Sequence, residues 1–182
     1  MTAMPLRVET RVPKAAPSGL PGEALMKGRR VHFMGIGGVG VSGLARLADA
    51  AGAVVSGCDR KLGPKARAFA DEGKSISVGH SPDHLEGVDL LVHTGAVRPD
   101  EPELVAARAL GIEVVDRLPM LLKLAEGRRF LGIAGSHGKT TTSTLAAALL
   151  IEAGRDPSCA IGGASDAVGG NARAGKGEWF VA

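Results

Sequence analysis

Residues 30–45 read Arg30-Val31-His32-Phe33-Met34-Gly35-Ile36-Gly37-Gly38-Val39-Gly40-Val41-Ser42-Gly43-Leu44-Ala45. Val31 to Met34 is a short apolar run that ends in glycines, the pattern of a buried strand. Gly40 to Ala51 carries Leu44, Leu47, Ala48 and Ala51 at helical spacing, and Gly52 closes it. Ala53 to Cys58 reads as the next strand, with Asp59 at its end. Strand, glycine turn, helix and strand make a βαβ unit. Within the turn, Gly35, Gly37 and Gly40 fit G-x-G-x-x-G. The amides there open a helix whose N-terminus carries unpaired N–H donors and a partial positive charge, which suits a phosphate or pyrophosphate. Glycine is needed because a Cβ would block the tight turn and the approach of a ligand. Asp59 lies nineteen residues beyond Gly40, where a ribose-binding carboxylate would sit. On these residues alone NAD is the default nucleotide, and an NAD-dependent oxidoreductase using Asp59 is one reading.

The alternation continues down the chain. Lys65 to Glu72 suggests a helix, Ser75 to Gly79 a strand, and Ser81-Pro82-Asp83-His84 a capped helical turn. Asp89 to His93 is a strand, Glu101 to Leu110 a helix, Ile112 to Val115 a strand and Pro119 to Ala125 a helix. Strands separated by helices predict an α/β fold with a parallel, doubly wound sheet. Residues 29–127 are therefore read as a Rossmann-like domain. Residues 1–28, with Pro5, Pro13, Pro17 and Pro21 and no sustained period, read as a flexible extension.

A second unit, 128–182, starts after Glu126-Gly127. Arg129 to Ala134 is expected as a strand, Gly138 to Ala153 as a long helix and Ser158 to Ile161 as a strand. Gly162 to Gly177 is expected as glycine-rich loop, before a last strand from Glu178 to Ala182. Between the first strand and the helix stands Gly135-Ser136-His137-Gly138-Lys139-Thr140, entering the helix through Thr141-Thr142. Successive amides there would cradle the phosphates of ATP. Lys139 would bring a cation to the β and γ phosphates, and the Thr140 hydroxyl would join a Mg²⁺ shell. The strict P-loop pattern has glycine where this sequence has Ile133, so the shorter form G-x-x-G-K-T is present. A P-loop domain needs further strands and helices to bury both faces of its sheet, so residues 128–182 are expected to be the incomplete start of one.

Charge and composition remove several classes. The formal net charge is +3, but the first thirty residues hold +4 of it, so the rest carries −1. With 3% aromatic residues there is neither a basic field nor a stacking platform for nucleic acid, and none is expected as a partner. No apolar run approaches the roughly 18 residues that span a bilayer, and Met1-Thr2-Ala3-Met4-Pro5 lacks a secretory core. Membrane association is not expected, and the location is expected to be cytoplasmic. Cys58 and Cys159 have no ligand-spaced neighbours and read as small buried residues, not as a disulfide or metal pair. His32 is expected to face the core, His84 the solvent, and His137 to matter by its backbone.

Two phosphate loops about a hundred residues apart, each opening a helix, resemble the Mur ligases. The resemblance runs from about Arg30 to Ala182. It is carried by His32 to Ala45, by Val55-Ser56-Gly57-Cys58-Asp59, by Gly111 to Val115 with Arg117, Met120 and Leu121, and by Gly135 to Thr142. Within that family it is most similar to the branch that joins L-alanine to UDP-N-acetylmuramate. The resemblance implies a UDP-sugar, not NAD, in the first domain. It assigns Gly35, Gly37, Gly38, Val39, Gly40, Asp59, His80, Thr94 and Gly95 to that ligand, with Gly37 to Gly40 facing the diphosphate. It assigns Gly135, Ser136, His137, Gly138, Lys139, Thr140 and Thr141 to ATP, Lys139 to catalysis and Thr140 to Mg²⁺ through ATP. ATP and Mg²⁺ are the implied cofactors; UDP-N-acetylmuramate, L-alanine and ATP are the implied partners, with no obligate protein partner. A branch that joins whole peptides to UDP-N-acetylmuramate is the alternative. Cys58 stands where the family usually has a small hydroxyl residue. The family's Mg²⁺-binding carboxylate and C-terminal domain would lie past Ala182, so the 182-residue chain by itself is expected to be inactive as a ligase.

Overall fold

A computed structural model describes residues 21–182. Its first half contains α1 (Pro21–Met26), β1 (Arg30–Met34), α2 (Val39–Ala50), β2 (Val54–Asp59), α3 (Pro64–Asp71) and β3 (Ser75–Val78). A 3₁₀ turn (Pro82–Leu85), β4 (Leu90–His93), α4 (Pro102–Ala109), β5 (Glu113–Asp116) and α5 (Arg117–Ala125) follow. The five strands are all parallel and lie in the order β3-β2-β1-β4-β5. Val31 to Met34 are buried because helices cover both faces of this central strand, which is why β1 reads as a continuous apolar run. The order reverses between β1 and β4, and the crevice at the carboxyl ends of those strands is where such sheets bind ligands.

Helix ends follow local chemistry. The Ser81 hydroxyl accepts from the Asp83 N–H and caps the 3₁₀ turn. Gly52 takes φ +89° just past α2, a left-handed position that only glycine occupies without a Cβ clash. The largest core cluster joins Phe33, Val55 and Val92 to Leu44, Leu47, Met120 and Leu124. A smaller one on the other face holds Met34, Cys58, Leu91 and Leu104.

Residues 21–28 are not extension. Met26 is fully buried in the main core, and the Cα of Gly22 lies so near the Lys123 carbonyl that a Cβ would stand 2.5 Å from it. Glu23 pairs with Arg128 at 2.6 Å. One turn of helix is too short to show a period, so packing on α5 left no trace in the pattern. Residues 1–20 of the expected extension lie outside the described residues.

The second unit comprises β6 (Arg129–Leu131), α6 (Lys139–Glu152), β7 (Ser158–Ser165), a 3₁₀ turn (Asp166–Val168), β8 (Gly170–Arg173) and β9 (Trp179–Val181). Its strand order is β6-β9-β7-β8. β6, β9 and β7 run parallel, but β8 returns antiparallel to β7. The stretch expected as loop from Gly162 to Gly177 therefore holds the end of β7 and all of β8. Gly162-Gly163 in β7 and Gly169-Gly170 at the turn read as loop, and Asn171-Ala172-Arg173 has no apolar alternation to read. β6 also stops at Leu131, three residues short of the expected end.

The two units share a core. Phe180 of β9 belongs to the cluster built on β1 and α2. Gly43 of α2 faces β8, where a Cβ would stand 3.0 Å from Asn171 Nδ2. That Asn171 amide donates to the Val39 carbonyl at 2.6 Å and lies 3.2 Å from Ser42 Oγ, tying the start of α2 to the second sheet.

Asp156 organises the loop between β8 and β9. Its residue sits at φ +41°, and its carboxylate accepts from Lys176 N–H at 2.8 Å and from Arg173 at 2.6 Å. The Lys176 amide first, and Arg173 second, hold this carboxyl below its usual range. A depressed folded value means the contribution is complete above the unfolded value near 3.9 and is lost as pH falls through the folded one. Asp156→Asn, which tolerates the same backbone, should remove that part of the acid loss below about pH 4. Urea midpoints measured across the acid range check this; an unchanged acid profile in the variant would contradict it.

Candidate functional site

The first glycine loop lies at the carboxyl end of β1. Gly35 takes φ +75°, and the amides of Gly35 and Ile36 both donate to the Cys58 carbonyl at 2.8 and 3.1 Å. Gly38 N–H donates back to Gly35 at 3.0 Å, and Gly37 N–H donates to Asp59 Oδ2 at 2.8 Å. A Cβ on Gly37 would stand 2.9 Å from that same carboxylate oxygen. The amides of Gly37 and Gly38 are thus already paired. The first helical bond of α2 is Ser42 N–H to Gly38, at 2.8 Å. The amides of Val39, Gly40 and Val41 precede it and have no such partner, so they, rather than Gly37 and Gly38, are the donors open to an anion.

A cavity of about 590 Å³ opens over these amides. Gly35, Gly37, Gly38, Val39 and Gly40 line it together with Asp59, His80 and Thr94; Gly95 does not. The Thr94 hydroxyl accepts from Ala96 N–H at 3.1 Å and so also shapes its own turn. Three cations the motif reading missed, Arg60, Lys61 and Arg117, share the lining. Each follows the carboxyl end of a strand, so the rule that finds Asp59 could have found them. A hollow of about 650 Å³ lies at the opposite, amino end of β1, β4 and β5, lined by Lys27, Arg29 and Leu110, away from both glycine loops.

The second loop spans the junction of β6 and α6. Gly138 sits at φ +76° and Gly135 at φ +149°, conformations that strain any residue with a Cβ. Thr142 N–H to Gly138 is the first helical bond, at 2.9 Å, which leaves the amides of Lys139, Thr140 and Thr141 at an open helix end. The Lys139 ammonium folds back over the loop, donating to the Gly135 carbonyl and, at 3.2 Å, to that of Ser136. Residues 135–142 are all exposed. Lys139 and Thr140 line a second cavity of about 350 Å³; Gly135, Ser136, His137, Gly138 and Thr141 do not.

Val39, Gly40 and Arg117 line both cavities. Arg117 lies against the start of α2, where a Cβ on Gly40 would meet its Nη1 at 2.6 Å. The two glycine loops therefore face adjoining hollows with one guanidinium between them.

Residues 30–129 match the model of the Mur ligase family, catalytic domain. The chain belongs to the Mur ligase family. It is 46% identical over 160 residues to a UDP-N-acetylmuramate–L-alanine ligase of Gloeobacter violaceus, covering 88% of this chain and 35% of that protein. The corresponding figures for the Sorangium cellulosum protein of the same name are 47% over 154 residues, 85% and 33%. The chain thus spans about a third of the length of these curated relatives. Among solved structures, the UDP-N-acetylmuramate–alanine ligase of Thermotoga maritima superimposes with a TM-score of 0.76 at 32% identity, covering 83% of this chain and 36% of that one. A UDP-N-acetylmuramate:L-alanyl-γ-D-glutamyl-meso-diaminopimelate ligase from Neisseria meningitides gives 0.77 at 29% identity, with 85% and 52% covered. No helix among the described residues is long and apolar enough to cross a membrane.

Behind the first cavity, this Mur ligase chain buries a polar cluster. Glu103 is fully buried, and its carboxylate meets His32 Nε2 and His84 Nδ1 at 3.1 Å, Cys58 Sγ at 3.2 Å and His80 Nδ1 at 3.4 Å. Burial works against the Glu103 carboxylate, but His32, Cys58 and His84 outweigh it and hold its carboxyl below the usual range. Burial first, then the charge of Glu103, pushes the Cys58 thiol far above the usual range. His32 faces the core as expected. His84 does not stand free in solvent: it turns inward onto Glu103, because the 3₁₀ turn packs against α4.

Proposed function

We propose that this chain is the nucleotide-binding part of an ATP-dependent UDP-N-acetylmuramate–L-alanine ligase of peptidoglycan precursor synthesis, working in the cytoplasm. The observation that carries the reading is the pair of adjoining cavities, each fed by an open helix N-terminus and joined at Arg117. A guanidinium facing the positive end of a helix is unfavourable until an anion lies between them. The diphosphate of a UDP-sugar, held by the amides of Val39 to Val41 and by Arg117, meets that need. Residues 29–127 would form the UDP-sugar domain and 128–182 part of the P-loop ATP domain.

In this reading ATP transfers its γ-phosphoryl group to the lactyl carboxylate of UDP-N-acetylmuramate, releasing ADP. The amine of L-alanine attacks the resulting acyl phosphate, and phosphate leaves as the amide forms. A carboxylate oxygen is a poor leaving group, and phosphorylation replaces it with a good one. Lys139 would move from its loop carbonyls onto the transferring phosphoryl group and stabilise the charge that develops there. The loop fits a magnesium triphosphate: Gly138 and Gly135 open it, and Thr140 offers a hydroxyl beside side-chain-free Gly162 and Gly163. Mg²⁺ bound there, with Thr140 among its ligands, would supply charge neutralisation at the phosphates.

Relatives named as alanine ligases, 42% identical or better across most of this chain, support alanine over a peptide as the acceptor. The solved peptide ligase superimposes as well as the alanine ligase does, so the fold alone favours neither. Calorimetry with UDP-N-acetylmuramate and, separately, NADH tests the nucleotide reading. Heat of binding is expected with the UDP-sugar and none with NADH. The reverse result would overturn the proposal.

A further inference from the structure

Four side chains from four different elements converge behind the sugar-nucleotide cavity. His32 comes from β1, Cys58 from β2, His84 from the 3₁₀ turn and Glu103 from the first turn of α4. Their donor atoms all lie within 4.8 Å of one another. His32, Cys58 and Glu103 are at most 2% exposed. The positions, 32, 58, 84 and 103, follow no ligand spacing, which is why the sequence does not reveal them. We propose that these four residues form a structural site for a divalent transition-metal ion, zinc by preference.

The donor set is two imidazole nitrogens, one sulfur and one carboxylate oxygen, all zinc donors and four in number, as tetrahedral coordination requires. Bonds of about 2.0–2.3 Å put tetrahedral ligands about 3.3–3.8 Å apart. The pairs that Glu103 makes are 3.1 and 3.2 Å apart and all four donors lie within 4.8 Å of one another, so the widest pair must approach by about 1 Å, shared between two side chains, to close the set around an ion. Charge favours the same conclusion. A thiolate, a carboxylate and a divalent cation sum to zero, and a neutral buried site avoids the desolvation cost of a lone carboxylate. No Lys or Arg among the described residues pairs with Glu103; its ionic partners are His32, His80 and His84. Nitrogen and sulfur donors also exclude Mg²⁺ as the preferred ion.

A second observation concerns His32. Its Nε2 is buried and aims into the cluster, 3.1 Å from a Glu103 carboxylate oxygen but without the geometry of a hydrogen bond. Its other nitrogen is bonded to Ser56 Oγ at 2.9 Å. Fixing one imidazole nitrogen so that the other is free to bind is the arrangement seen around metal-ligating histidines. His80 stands just outside the four. It touches Cys58 Sγ at 3.1 Å and also lines the sugar-nucleotide cavity. An ion in the cluster would therefore stiffen the wall of that cavity through His80 and through Asp59, the residue after Cys58.

The whole chain, reduced and stripped with chelator, should be titrated with Co²⁺ under argon and then with Zn²⁺. The expected result is one equivalent of cobalt with tetrahedral visible bands and a near-ultraviolet thiolate-to-cobalt band, both displaced by one equivalent of zinc. Cys58→Ser should lose the charge-transfer band and weaken binding at least about tenfold. Far-ultraviolet circular dichroism of the variant establishes that it is folded; if it is not, His84→Asn, at the most exposed ligand, replaces it and should weaken binding in the same way. Absence of stoichiometric cobalt binding, or an unchanged charge-transfer band in folded Cys58→Ser, would overturn the proposal. Neither outcome depends on the ligase reading, since no nucleotide or substrate enters the measurement.

Discussion

Lys139→Ala, made in a ligase that contains this chain, is expected to lower kcat for ADP release on the order of 10²–10³-fold, the usual effect of removing one preorganised donor from a developing charge. The side chain is exposed and contacts only carbonyls of its own loop, at Gly135 and Ser136, so little of the fold depends on it. Thermal stability should therefore change by no more than a surface substitution does, about 0.5 kcal/mol either way. The KM for UDP-N-acetylmuramate should hold within about twofold, because the lost interaction forms mainly as the phosphoryl group transfers. Steady-state ADP release with a parallel melting curve makes the comparison. A kcat within about tenfold of the parent would remove Lys139 from the chemistry and leave its loop as a turn that ends in a lysine.

Arg117→Ala should weaken UDP-N-acetylmuramate about 10- to 100-fold, while the weaker affinity for uridine stays where it was. A hydrogen bond to a charged group contributes about 1.5–3 kcal/mol, and 1.4 kcal/mol is a factor of ten. Uridine lacks the diphosphate and so does not register the guanidinium. Calorimetry of both ligands, with competition for the weaker one, separates a phosphate contact from a packing role. Equal losses for uridine and the UDP-sugar would mean that Arg117 only props up the start of α2, against which it rests at Gly40. Arg117→Lys should recover part of the loss, since the charge remains but the planar fork does not.

Much of this molecule is legible in its sequence. The βαβ unit around Gly35 to Gly40 and the β6–α6 junction around Gly135 to Thr140 both follow from short-range signals. An apolar run, a glycine at a turn and a helical period each report on residues within a few positions of one another. Asp59, His80 and Thr94 line one cavity with the first loop, and Gly95 does not. The structure departs from the sequence pattern where such signals fail. β8 is the polar stretch Gly170-Asn171-Ala172-Arg173 and shows no apolar alternation, and α1 is a short helix held by α5 rather than by its own sequence. Gly37 and Gly38 looked available to a diphosphate because an amide's partner cannot be read from its neighbours; the Asp59 carboxylate and the Gly35 carbonyl occupy them.

By itself, then, the sequence determined the order of strands and helices apart from α1 and β8, the position of both glycine turns and the membership of the Mur ligase family, since each depends on periodicity or on contiguous motifs. Only the tertiary structure decided what those parts meet. It brought Arg117 between two cavities, turned His84 inward, and gathered His32, Cys58, His84 and Glu103 around one point, with gaps of 26, 26 and 19 residues between them in the chain. The reason is geometric: a parallel sheet aligns the carboxyl ends of strands that are distant in sequence, and no local pattern records which of those ends become neighbours.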